Sequence, residues 1–188
     1  MKNIALIAAL LCATVAAAQQ DKSQRASPPA QAQCKFSDGK TITVDYSSPR
    51  VRDPKTHEVR KIMGGLVPYG QVWRTGANEA TTFVTGADLT VAGKDVPAGS
   101  YTIFTVPNAD RWTLIVNKHT GEWGIPYKYE SEELVRVPMS VSATSGSVEN
   151  FTISFAQSGG GCTLQVSWEN TQASLAIGEK NADMPMKP

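Results

Sequence analysis

Trp73, Arg74, Asn78 and Glu79 place a stacking surface, a forked cation, an amide and a carboxylate within seven consecutive positions. Arginine grips carboxylate or phosphate through two parallel N–H donors, and tryptophan stacks on sugar rings or cations. The four lie in the run from Gly64 to Thr82, which mixes Gly, Pro68, Tyr69 and polar residues without the periodicity of a helix or a strand. Such a run is a loop, and loops on a rigid scaffold are where ligands are recognised. An architectural reading competes with this one: Arg74 pairs with Glu79, Asn78 bonds loop backbone, and Trp73 plugs the end of the fold. Glu79 is also a candidate general acid or base, with Arg74 or Lys118 stabilising developing negative charge.

A second stretch, Asn117 to Gly124, follows a strand and has the same character. Asn117, Lys118 and Trp123 are its candidate ligand-binding residues, expected to share a concavity with Tyr69, Trp73, Arg74, Asn78 and Glu79. Its alternative is a glycine-rich connection whose Trp123 packs on the core edge. The two histidines, His57 and His119, stand alone, and His57-Glu58-Val59-Arg60-Lys61 is not a paired-histidine zinc motif. No metal and no cofactor is expected. No G-x-S-x-G elbow occurs, and Gly93-Lys94 lacks the upstream glycine spacing and the hydroxyl residue of a phosphate loop.

The scaffold that must position these loops reads as all-β. Ile42, Val44 and Tyr46 alternate with polar residues, as do Cys162, Leu164, Val166 and Trp168; Trp112, Leu114 and Val116 share a face, Val135, Val137, Met139 and Val141 alternate with Arg136, Pro138 and Ser140, and Phe151, Ile153 and Phe155 with Thr152, Ser154 and Ala156. A period of two marks strands with one buried face. Further strands are expected at 81–85, 89–91, 101–106 and 173–177, with Gly93-Lys94 at the centre of a hairpin turn and Pro97-Ala98-Gly99 as the next turn. Only 128–134 and 61–66 offer a helical turn. Roughly nine short strands at this spacing predict an antiparallel β-sandwich or jelly roll.

The N-terminus carries Lys2, an apolar run from Ile4 to Val15, and Ala16-Ala17-Ala18, the layout of a secretory signal peptide cleaved after residue 18. The apolar run is too short to span a membrane. Cys12 would suit a lipoprotein only with a small residue before it, and Leu11 stands there. Residues 19–33 hold no large hydrophobe and are expected to form a disordered tether, with one domain over 34–178 and a flexible tail over 179–188. Of the 18 Lys and Arg, one lies in the signal peptide, leaving 17 against 17 Asp and Glu. A neutral chain without a basic run does not suit nucleic acid. Cys34 and Cys162 remain after cleavage, an even pair that in an exported chain favours a disulfide over two buried thiols.

The strings Tyr46 to Arg52, Gly64 to Thr82, Val96 to Phe104, Trp112 to Lys118 with Thr120-Gly121 and Trp123-Gly124, Arg136 to Met139, and Trp168 to Ser174 resemble a family of exported bacterial proteins known as domain of unknown function 2911. The resemblance covers about residues 36 to 177. It implies export and a single β-rich domain, and it brings no activity, cofactor or catalytic residue. Asp53 to Val59 departs from the pattern as an insertion, and the aspartate expected after Tyr127 is Lys128.

Concentrated polar and aromatic loops, without a poised nucleophile, a metal set or a cofactor fingerprint, point to a non-catalytic exported domain, periplasmic or secreted. Its expected partner is a small polar ligand, a glycan or another protein. The rivals are a hydrolase of unfamiliar type using Glu79, and a structural envelope protein.

Overall fold

A computed structural model describes residues 21–158 and 160–180. The expected signal peptide with Cys12, and the chain beyond residue 180, lie outside the described residues. Nine strands form one antiparallel sheet: β1 (Pro29–Lys35), β2 (Thr41–Ser47), β3 (Thr81–Thr85), β4 (Leu89–Val91), β5 (Lys94–Val96), β6 (Gly99–Val106), β7 (Arg111–Asn117), β8 (Glu133–Ser158) and β9 (Gly161–Glu179). Their order across the sheet is β1-β2-β3-β6-β7-β8-β9-β4-β5. Two 3-10 turns, Lys22–Gln24 and Glu130–Glu132, are the helical elements among the described residues; residues 61–66 make hydrogen-bonded turns instead.

The alternating residues do what their period requires. Ile42 and Val44 of β2, Ile103 of β6, and Leu164 and Val166 of β9 are wholly buried in one core. Strands β8 and β9 are long because each joins two of the expected strands. The hairpin they form bends where its register shifts, between Ala143 and Val148 and again before Thr152. The first part of β8 pairs with β7; the second carries Phe151 across the core, where its ring meets Tyr46 edge-on at 5.6 Å. The Tyr46 hydroxyl accepts from the Ile153 amide at 3.1 Å, and the Phe151 amide donates to the Pro49 carbonyl at 2.8 Å. The sheet thereby folds over on itself. Cys34 of β1 and Cys162 of β9 are bonded across the fold, with Cα atoms 6.4 Å apart.

Strands β6 and β7 are buried on both faces. Phe104 and Ile115 point away from the main core and pack with Ala80 in a second cluster, covered by Val72 of the first candidate loop and by Tyr127, three residues past the end of the second. Covering that outer face is what brings the loops together.

Three expectations need correction. Residues 29–33, expected as tether, belong to β1: the ladder with β2 sets Ala32 opposite Val44 and Cys34 opposite Ile42, so backbone pairing and small side chains suffice without a large hydrophobe. At the other end β9 reaches Glu179, and Lys180 still donates its amide to the Asp88 carbonyl at 2.7 Å, so the described part of the tail is sheet-bound. The β4–β5 turn centres on Ala92 and Gly93, not Gly93 and Lys94, because Val91 pairs with Lys94 and the φ angles of 46° and 78° at the two central residues are those of a type I′ hairpin.

Candidate functional site

β3 begins at Thr81, opposite Ile103 of β6. Two residues along β6, Thr105 finds its partner in the loop: Trp73 and Thr105 exchange backbone hydrogen bonds of 2.8 and 2.9 Å. The loop thus extends the sheet past the start of β3, and this pairing turns the Trp73 ring into the core. There it lies 5.0 Å from Phe151, 6.1 Å from Trp112 and 5.9 Å from Trp168, the last nearly parallel. Its Nε1 donates to the Gly76 carbonyl at 3.0 Å.

Beyond Trp73 the chain turns through left-handed conformations at Thr75 (φ 55°) and Asn78 (φ 59°). A β-branched residue there carries about 1–3 kcal/mol of strain and persists only where its surroundings fix it. Thr75 is wholly buried, its Oγ1 is 3.1 Å from Thr105 Oγ1, and its carbonyl accepts from Thr81 Oγ1 at 2.8 Å. Gly76 is required for space: a Cβ there would sit 3.0 Å from the Ser47 carbonyl oxygen.

A pocket of about 570 Å³ opens between this loop, segment 49–60, Ala26 and Ser27 ahead of β1, and Trp123 to Ile125. That is the size of a small-molecule site. Trp73 and Trp168 line it beneath a rim of Leu66, Trp123 and Ile125, apolar side chains that are 50%, 56% and 37% exposed. Its charged residues are Arg50, Lys55, Arg60, Arg74 and Asp53. Arg74 spans the two loops. Its guanidinium lies 5.3 Å over the Trp123 ring, and its Nη1 donates to the carbonyls of Asn78 and Trp123. Burial lowers its pKa from the ordinary value.

Of the residues singled out from sequence, Trp73, Arg74, Asn78 and Trp123 line this pocket and the other four do not. The expected Arg74–Glu79 pair is not formed. Glu79 lies past the left-handed turn at Asn78 and faces the N-terminal segment, where Arg25 Nη1 reaches its two oxygens at 2.9 and 2.8 Å and Lys22 Nζ lies 3.3 Å away. The Arg25 hydrogen bonds, helped by Lys22, hold its pKa down at about 2. Such a group stays ionised and shuttles no proton near neutrality. Asn117 is wholly buried, donating to Tyr127 Oη at 3.0 Å and the Tyr129 carbonyl at 2.7 Å while accepting from the His119 amide at 2.8 Å. It ties its loop together. Lys118 is exposed, and Tyr69 lies against Gly64, where a Cβ would come within 2.8 Å of its ring. Asn78 donates to the Ser27 carbonyl at 3.0 Å, pinning the N-terminal segment to the pocket edge.

His119 stacks on Tyr129 at 4.1 Å and its Nδ1 is 3.2 Å from Glu132. Burial raises the pKa of Glu122, which does not line the pocket. No group of three or more His, Cys, Asp and Glu placed to hold a metal occurs among the described residues. Arg50, Lys55, Leu66, Ile125 and the N-terminal Ala26 and Ser27 were invisible as site residues in the sequence. They come from four separate segments, and only the clustering of an exposed apolar residue with unpaired cations could have marked them.

The model of a family described as Protein of unknown function (DUF2911) matches residues 27–177. No curated protein and no solved structure matches the chain.

Proposed function

We propose that this chain, which belongs to the family of proteins of unknown function DUF2911, is an exported, non-catalytic domain that binds a small ligand between its two end loops. The observation that carries the reading is the pocket itself: about 570 Å³, walled by Trp73 and Trp168 and rimmed by exposed apolar side chains. Exposed Leu, Trp and Ile converging on one concavity cost solvation in the free protein, and a ligand that covers them recovers it. A concavity of this size takes a small molecule or a short glycan rather than a folded partner. The buried Cys34–Cys162 bond supports an oxidising compartment, and with it export. The hydrolase reading loses its acid-base group, because Glu79 is ion-paired in a separate cleft.

The test uses 1-anilinonaphthalene-8-sulfonate, a fluorescent probe that brightens in apolar sites. The folded chain should bind it saturably at one site, and Trp123→Ala and Leu66→Ala should each weaken binding without lowering the melting temperature, since both side chains are half exposed. Absence of saturable binding, or binding indifferent to both substitutions, refutes the reading.

A further inference from the structure

Four cations and one carboxylate line the pocket of a chain whose whole charge is nearly balanced, 18 Lys and Arg against 17 Asp and Glu. The carboxylate is already engaged. Asp53 accepts from the amides of Lys55 and Thr56 at 2.8 and 3.1 Å and pairs with Arg60 at 3.6 Å, so these two charges answer each other. Arg60 also donates to the carbonyls of Arg50 and Val51. Arg50, Lys55 and Arg74 are left without a carboxylate among the described residues.

Two further observations give the excess a direction. Arg74 spends Nη1 on backbone carbonyls, while its Nε and Nη2 take no partner among the described residues. Trp168, 1% exposed and lining the same pocket, has a buried Nε1 with no acceptor among the described residues. A buried donor left unmade is costly, and an indole N–H can only donate. One-signed charge beside low-dielectric apolar walls concentrates its field on whatever enters.

We propose that the ligand is a small organic anion, a carboxylate, sulfonate or phosphate ester on an apolar body, with its charged end toward Arg50, Lys55 and Arg74 and its body against Trp73, Trp123 and Leu66. This rests on the pocket reading above and adds the chemical class. An uncharged sugar would leave the three cations unanswered; a cation would be repelled by them. The anionic end supplies selectivity and the apolar walls supply most of the attraction.

The discriminating pair of probes is 1-anilinonaphthalene-8-sulfonate and N-phenyl-1-naphthylamine, the same ring system with and without the sulfonate. The charged probe should bind on the order of tenfold more tightly at low salt, with the advantage shrinking as salt is raised. The double substitution Arg50→Gln with Lys55→Gln should remove most of that advantage and leave the affinity for the neutral probe unchanged. Neither side chain forms an ion pair among the described residues, so the melting temperature should hold; Lys55→Gln alone, in an exposed turn, should give a partial effect of the same sign. Equal binding of the two probes, or equal weakening of both by the double substitution, overturns the anion assignment while leaving the pocket reading standing. If neither probe binds saturably, both fall.

Discussion

Breaking the Cys34–Cys162 bond should be the most costly single covalent change available in this chain. The bond closes a loop of 128 positions, for which the chain-entropy relation gives about 5 kcal/mol of stabilisation at 25 °C. Both sulfurs are sealed in the core, at 1% and 0% exposure, so the bond resists reductant in the native state and must be reduced on transient or deliberate unfolding. The comparison is therefore urea unfolding of the same chain oxidised and refolded after reduction, followed by far-ultraviolet circular dichroism. With a slope of about 2 kcal/mol per molar, 5 kcal/mol moves the midpoint down by about 2.5 M. The loss should also be local in its first consequence. Among the described residues β1 has β2 as its one hydrogen-bonded neighbour in the sheet, and beyond the packing of Ala32 and Cys34 in the core its ties to the far side include the disulfide and the hydrogen bond from Gln157 Nε2 to the Lys35 carbonyl at 3.1 Å. Amides of β1 should then exchange faster on reduction while those of β6 and β7, paired on both sides, hold. A midpoint shift below about 0.5 M, or uniform acceleration across the sheet, would refute this reasoning and mean that β1 is held by packing alone.

Glu79→Gln should cost about 1 kcal/mol at pH 7, not the several that a buried pair would give, because the Glu79 side chain is 42% exposed and solvent screens its bonds to Arg25 and Lys22. Its pKa falls from 4.5 to about 2 on folding, so this stability is present above pH 4.5 and is lost as pH falls toward 2; chemical denaturation at pH 7 and pH 2.5 should find the difference between wild type and variant largely gone at the lower value, and a constant difference would contradict the ion-pair origin. Tyr46→Phe removes the hydroxyl that accepts from the Ile153 amide and should destabilise by about 1–2 kcal/mol in urea unfolding, with no loss meaning that water replaces it. Gly124→Ala asks a residue at φ 89° to place a Cβ 2.9 Å from that of Ala80 and should cost about 1–3 kcal/mol while weakening the sulfonate probe by displacing Trp123. A variant as stable as wild type would show that the Trp123 loop shifts freely.

The strand-forming segments were legible because a period of two is a local property: Ile42 and Val44, or Leu164 and Val166, announce a buried face whatever they pack against. The all-β antiparallel class, the pairing of Cys34 with Cys162 and the position of the irregular loop around Trp73 all follow from the chain read alone. The expected count of nine strands agrees with the structure only by compensation. Two pairs of expected strands fuse into β8 and β9 through residues whose pattern is broken by the bend, while β1 and β5, short of large hydrophobes, escape notice because their stability is the backbone ladder with a neighbour. Tertiary structure decided which of the candidate site residues share the pocket and which do not. Arg74 and Glu79, five positions apart, face different clefts because left-handed backbone at Asn78 separates them, and Glu79 instead meets Arg25, 54 positions away. The pocket draws Ala26, Arg50, Lys55, Leu66, Arg74 and Trp123 from segments that no sequence period links. A side chain's propensity is written in its own neighbourhood, but its partner is set by how the sheet folds over the core, and that is a property of the whole chain.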